Sequence, residues 1–173
     1  MSHARLQLRL ATEADLPAIV AIYNSIIPGR MVTADLEPVT VDSRRAWFVA
    51  HLAPNRPLWV VIDPAAEDSI CAWACFDSFY PRAAYDGTVM VALYLAETRR
   101  GQGIGGWLLT ELIARAPAFG IHTLTGYIFG HNDPSLRLFR RHGFAEWARM
   151  PGVAVLDGVA RDLIVLGRRV SSP

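Results

Sequence analysis

The first ten residues, Met-Ser-His-Ala-Arg-Leu-Gln-Leu-Arg-Leu, alternate polar with apolar positions, and Leu6 to Leu10 reads as a half-buried strand. Thr12-Glu-Ala-Asp15 then forms a capping-box-like helix start. Apolar residues follow at Leu16, Ile19, Ile22, Tyr23 and Ile26, which is helical spacing. After a polar stretch from Pro28 to Pro38, Thr40 or Asp42 can cap a second helix carrying Trp47, Phe48, His51 and Leu52, bounded by Pro54 and Pro57. The period then changes. Leu58 to Ile62, Ile70 to Phe79 and Thr88 to Leu95 are runs of Val, Ile, Leu and aromatic residues between turn-forming clusters, and read as successive strands. Helix spacing returns from Ile104 to Ala116, with Trp107, Leu108, Leu112 and Ile113 on one face and Gly120 placed to end the element. Ile121 to Phe129 is another buried strand. A short helix follows Asn132 or Asp133 as cap, with Pro134 in its first turn and Arg140-Arg-His-Gly143 at its end. The last two strands, Ala145 to Val155 and Val159 to Leu166, flank Asp157-Gly158, a two-residue hairpin signal. The predicted order is β α α β β β α β α β β: an α/β fold on one mixed sheet, a single domain over residues 1–173.

Composition supports that picture and removes several function classes. A chain of 173 residues, 52% hydrophobic and 19% charged, is globular and long enough to bury its own core. Seventeen basic residues against sixteen acidic ones leave no electrostatic footprint for nucleic acid or an anionic membrane surface. The longest apolar run, Val89 to Ala96, is too short to span a bilayer. No signal-type segment opens the sequence, and with only two cysteines this predicts a cytoplasmic protein. Cys71 and Cys75 lie on one predicted strand and so on one face, roughly 13 Å apart, beyond disulfide reach. The local sequence offers too few further ligands for a metal, so both are expected to be buried, inert thiols. His51, His122 and His142 are expected only to pack or cap.

The chemistry concentrates at Arg99-Arg-Gly-Gln-Gly-Ile-Gly105, between a buried strand and an amphipathic helix. Glycines bring backbone N–H groups close to a ligand, and the helix N-terminus adds unsatisfied N–H groups and a positive dipole end. Such a loop suits a diphosphate, with Arg99 and Arg100 as counter-charge. A P-loop is excluded, because Gly105-Gly106-Trp107 stands where Gly-Lys-Ser/Thr is required. Gly101 to Gly106 matches the dinucleotide fingerprint literally. However, the next strand, Thr125-Gly-Tyr-Ile-Phe129, ends without the acidic residue that a dinucleotide ribose needs.

The same loop, with Asn132 and Phe139-Arg-Arg-His-Gly-Phe144, resembles the GCN5-related N-acetyltransferase (GNAT) superfamily. Tyr23-Asn-Ser-Ile26, Thr33-Ala-Asp-Leu-Glu-Pro38, Trp47-Phe48, Phe76 to Tyr85 and Gly130-His-Asn-Asp-Pro-Ser135 extend the likeness to its phosphinothricin and methionine-sulfoximine acetyltransferase branch. The resemblance implies acetyl-CoA as acyl donor and a small-molecule amine as acceptor, attacked directly on the thioester, in a homodimer. By motif position, Leu93, Tyr94 and Leu95 would pair with the pantetheine arm. Arg100, Gly101, Gln102, Gly103, Ile104, Gly105 and Gly106 would hold the diphosphate, and Asn132 would contact the pantetheine portion. The acceptor would meet Tyr80, Pro81, Arg82, Met90, Val91 and Ala92. Here the sequence departs from the branch. Its strand glutamate, the expected base, is Met90; its serine is Ala92; a helix histidine is Phe139; and Tyr80 and Asp86 occupy positions of carboxylate-binding arginines, with Arg82 near enough to substitute. No catalytic residue is assigned. Tyr85, Asp86 and His131 are candidate relays, and a protein that binds acyl-CoA as a sensor is the alternative.

Overall fold

The computed structural model describes residues 5–66 and 69–172; Met1 to Ala4 of the alternating run lie outside them. Strand β1 (Gln7–Leu10) leads into α1 (Leu16–Ile26) and α2 (Val41–Ala50). Next come β2 (Leu58–Asp63), β3 (Ser69–Ser78), β4 (Thr88–Leu95), α3 (Ile104–Arg115), β5 (Thr123–Phe129) and α4 (Asp133–Arg141). A hairpin of β6 (Ala145–Leu156) and β7 (Val159–Arg169) completes the chain. This is the element order the patterning predicts. All seven strands form one mixed sheet, ordered β1-β2-β3-β4-β5-β7-β6.

Local chemistry sets the element ends. The Asp15 carboxylate accepts from the Thr12 N–H at 2.7 Å and from the Arg9 guanidinium at 2.6 and 2.8 Å, fastening α1 to the end of β1. Hydrogen bonds from Arg9, reinforced by Thr12, outweigh burial and hold the Asp15 carboxyl down at about 2. Thr40, not Asp42, caps α2, its hydroxyl accepting from the Ser43 N–H. Asp157 and Gly158 both adopt positive φ, 49° and 80°, as a two-residue type I′ hairpin requires.

The sheet is covered on both faces. On one, α3 and α4 pack over Val61, Ala74, Phe76, Val89 and Val91, with Leu108, Leu109 and Leu112 fully buried. The buried stripe of α3 therefore includes Leu109, while Trp107 and Ile113 sit at its margin. On the other face, α1 and α2 pack over Leu58, Val60, Trp73 and Cys75. The two cysteines are buried and free, but they face opposite sides of the sheet. A register shift between Val61 and Ile62 pairs Val61 with Ala72 and Ile62 with Ile70, so Cys71 is the extra residue of a bulge. That bulge breaks the alternation and corrects the expectation of a shared face.

One irregularity matters most. Strand β4 pairs antiparallel with β3 from Val89 to Leu95, but parallel with β5 only over Thr88, Met90 and the residue between them. Beyond Met90 the two strands part, and the sheet opens into a cleft.

Candidate active site

Residues 91–95 of β4 have a sheet partner on the β3 side alone, so their other edge presents backbone N–H and C=O groups to the cleft. A cavity of about 190 Å³ fills the opening, lined by Met90, Leu93, Tyr127, Asn132 and Phe139 among others. At the end of β4 the chain passes through the glycine loop into α3. Gly101 and Gly103 take φ of 72° and 81°, a region that a side chain disfavours, and Gly103 is the N-cap of the helix. Its carbonyl accepts the N–H groups of Gly106 and Trp107 at 3.1 Å each. The first N–H groups of α3, at Ile104 and Gly105, have no acceptor within the helix. Gly105 and Gly106 differ from Gly101 and Gly103: they lie in the helix against Leu138 and His142, at distances where a Cβ would make ordinary contact.

On the α1–α2 face, a second cavity of about 90 Å³ adjoins this cleft. Its walls are aromatic. Tyr94 of β4 lies 4.4 Å from Trp73 and 5.3 Å from Tyr23 between ring centroids, and Trp47 lies 5.6 Å from Trp73. The Arg44 guanidinium sits 4.7 Å over the Tyr23 ring and is bonded to Asp35 at 2.8 Å. Asp77, Ala92 and Tyr94 line both cavities, so the two spaces meet there. Burial pushes the phenol of Tyr94 far above its ordinary value, so it stays neutral.

Asp77 stands directly across from Met90 in the β3–β4 register. His51 Nε2 lies 3.1 Å from one of its carboxylate oxygens, Trp47 Nε1 donates to the same oxygen at 3.4 Å, and the Cys75 thiol donates to the other at 3.4 Å. Burial pushes the Asp77 carboxyl up, but contact with His51, helped by Cys75 and Trp47, outweighs it, and the net shift is downward. Burial also drives the Cys75 thiol well above its usual range, with the charge of Asp77 adding to it. Donor atoms of His51, Cys75 and Asp77 all lie within 4.8 Å of one another, a set that sequence proximity does not reveal because His51 comes from the C-cap of α2. Within the set the protonated thiol donates to Asp77, while the buried His51 Nε2 has no aligned hydrogen-bond partner.

The sequence profile of the Acetyltransferase (GNAT) family matches residues 19–144. The chain belongs to that family. It is similar to YwnH of Bacillus subtilis (strain 168), which carries the provisional name phosphinothricin acetyltransferase, with 51% identity over 96% of this chain and 100% of that one. It is 36% identical to an L-methionine sulfoximine/L-methionine sulfone acetyltransferase of Pseudomonas paraeruginosa, over 90% of each chain. Among solved structures it superposes at a TM-score of 0.89 on a GNAT superfamily phosphinothricin acetyltransferase of Sinorhizobium meliloti in complex with acetyl-CoA. That match has 27% identity and covers 98% of this chain and 93% of the other. The protein is an N-acetyltransferase that takes its acyl group from acetyl-CoA.

In this GNAT enzyme the expected site residues fall into two groups. Leu93, Tyr94 and Asn132 line the cleft, with Met90, Val91 and Ala92 at its inner end, and Leu95 ends β4 outside that lining. Arg100 to Gly103 form the loop beyond it, and Ile104 to Gly106 the first turn of α3. Asn132 is buried; its side-chain oxygen caps α4 by accepting from the Ser135 N–H, and its amide donates to the Met31 carbonyl at 2.8 Å. Arg99 is committed elsewhere, ion-paired with Asp63, while Arg100 is half-exposed beside Glu97 at 3.5 Å. By contrast, Tyr80, Pro81 and Arg82 lie on the exposed β3–β4 connection, with the Arg82 guanidinium over the Tyr80 ring, and line neither cavity. Tyr85 and Asp86 share that loop, and His131 bonds the Arg30 carbonyl, so none of the three candidate relays reaches the cavities. His122 bonds the Thr123 hydroxyl, and His142 bonds the Leu138 and Gly106 carbonyls. His51 does more, through Asp77. Asp77, His51 and Arg44 are what the sequence did not disclose; an aspartate inside the otherwise apolar run of β3 was the available signal.

Proposed function

We propose that the enzyme acetylates the primary amine of a small amino-acid analogue bearing a sulfoximine, sulfone or phosphinate group, as the names of its relatives suggest. The reading is carried by the unpaired edge of β4, which runs from the junction of the two cavities toward the glycine loop. The residues fit the donor. An extended pantetheine arm can add to residues 91–95 as a strand would, and Gly101 to Gly106 can receive the diphosphate through main-chain N–H groups, with Arg100 as counter-charge. Asn132, which lines the same cleft, would stand beside the arm. The thioester is the activated acyl group, and the aromatic cavity holds the acceptor against it; such positioning alone is worth several orders of magnitude in rate. Within that cavity Tyr23, Trp47, Trp73 and Tyr94 exclude water, and Arg44 offers a cation to an anionic or strongly polar end of the acceptor.

Among the described residues no helix is long and apolar enough to cross a membrane. We further propose a single-domain cytoplasmic enzyme working as a homodimer. Exposed Trp147, Met150, Val153 and Val155 on β6, the edge strand of the sheet, support an apolar contact between two copies. Thiol release from acetyl-CoA, measured against phosphinothricin, methionine sulfoximine, methionine sulfone and ordinary amino acids, tests the reading. Turnover restricted to the analogues is expected. Binding of acetyl-CoA without turnover on any amine would replace it with the sensor.

A further inference from the structure

We propose that Asp77 is a catalytic residue of this acetyltransferase, holding the acceptor nitrogen where the two cavities meet and taking its proton as the C–N bond forms. The inference rests on the N-acetyltransferase reading above and names the group that serves its proton transfer. Of the side chains lining the two cavities, only Asp77 is a carboxylate, and it belongs to both linings. Met90 and Ala92, the β4 residues nearest the junction on the same face, cannot accept a proton. Asp77 faces Met90 across the strand pair, where directly opposed side chains stand about 5 Å apart at Cβ. A carboxylate on β3 is therefore within one side chain's reach of the space over position 90.

The carboxylate is held for this work. Its side chain keeps 30% of its surface exposed, toward the cavities, while three groups fix it from behind: His51, Trp47 and the Cys75 thiol. His51 is itself locked. Its Nδ1 lies 2.9 Å from the Trp47 carbonyl, which can only accept, so that nitrogen carries a proton. Nε2 is buried and has no aligned hydrogen-bond partner, yet it sits 3.1 Å from Asp77. His51 thus stands against one carboxylate oxygen, and the other accepts from the Cys75 thiol while the side chain stays open to both cavities. His51 acts through Asp77 and is a positioning residue.

The balance is simple. An ammonium acceptor loses two protons in becoming an amide. The nitrogen attacks the thioester carbonyl as a free amine, having given its first proton to solvent; the C–N bond forms and the C–S bond breaks. The nitrogen's second proton passes to Asp77, and the departing sulfur ends as the coenzyme A thiol. That thiol takes the proton back from Asp77, directly or through water, so the carboxylate is regenerated each turnover.

The test begins with wild-type turnover on the amine panel. Its absence overturns both the transferase reading and this inference; its presence makes the variants decisive. Asp77→Asn is expected to lower kcat about a hundredfold or more, the range of a positioned base. Thermal stabilisation by acetyl-CoA should stay unchanged. Asp77→Ala guards against a folding defect in the amide variant, and formate, a free carboxylate, should restore part of its rate. Met90→Glu added to Asp77→Asn should recover activity by returning a carboxylate from the facing strand. His51→Gln should lower kcat with little change in acceptor KM. A kcat for Asp77→Asn within about twofold of wild type would overturn the proposal. So would activity that disappears with EDTA and returns with zinc, which would make His51, Cys75 and Asp77 a metal site.

Discussion

The two halves of the proposed active site are built from different materials. The donor half is main chain: the unpaired β4 edge, two glycines at positive φ and the first turn of α3. The acceptor half is side chain, with Tyr23 from α1, Arg44 and Trp47 from α2, His51 at its C-cap, Trp73 and Asp77 from β3, and Tyr94 from β4. Main-chain recognition tolerates side-chain change provided the conformation survives, so one donor framework can serve many acceptors. A side-chain pocket is remade by single substitutions. Mutations should therefore sort cleanly, and the largest expected effect lies on the donor side.

Gly103→Val attacks that framework where it is least tolerant. Its φ of 81° already costs an ordinary residue about 1–2 kcal/mol, and a β-branched one more. The loop would relax and turn its N–H groups away. Affinity for acetyl-CoA, measured by calorimetry, is expected to fall about a hundredfold. An unchanged affinity would mean that the donor half is not held by main-chain geometry.

The acceptor wall has its own dependence, on acid. Asp15 ties the start of α1, and so the helix carrying Tyr23, to β1 through Arg9. Its carboxyl is depressed from 3.8 to about 2, so the folded state favours the charged form. The resulting stability, roughly 2 kcal/mol, is complete above pH 4 and fades as pH falls through 2. Chemical denaturation between pH 5 and 2 should show that loss, and Asp15→Asn should remove both the stability and this part of its pH dependence. Arg44→Leu comes next. Removing a cation at the pocket wall should raise acceptor KM about tenfold, the cost of one charge-assisted contact, and leave acetyl-CoA KM unaltered.

The same contrast explains what the sequence disclosed. The limits of β4 were legible to the residue because Thr88 to Leu95 is an unbroken run of strand formers, and the glycine loop was legible because backbone geometry demands particular residues in order. Asp77 and His51 were not, since nothing local records that residues 26 apart will meet across a helix and a strand. The facing of Cys71 failed for a related reason: a bulge shifts alternation without any glycine or proline to announce it. Tyr80 was assigned to the acceptor by motif position and Arg82 as its near substitute, but both lie on a loop that the structure leaves exposed.

The smallest effect separates two reasons for glycine within one loop. Gly105 is helical, and a Cβ there would meet Leu138 at 3.4 Å, an ordinary contact with the flexible end of a side chain. Alanine is the better helix former by about 1 kcal/mol, and at a compatible position it also narrows the unfolded ensemble. Gly105→Ala should therefore raise Tm by about 1–4 °C and keep acetyl-CoA KM within twofold of wild type. Gly103 would then be needed for its φ, and Gly105 for nothing that a methyl group disturbs. A loss of acetyl-CoA affinity in Gly105→Ala would instead show that the diphosphate closes directly onto that carbon. Main-chain shape alone would no longer describe the donor half.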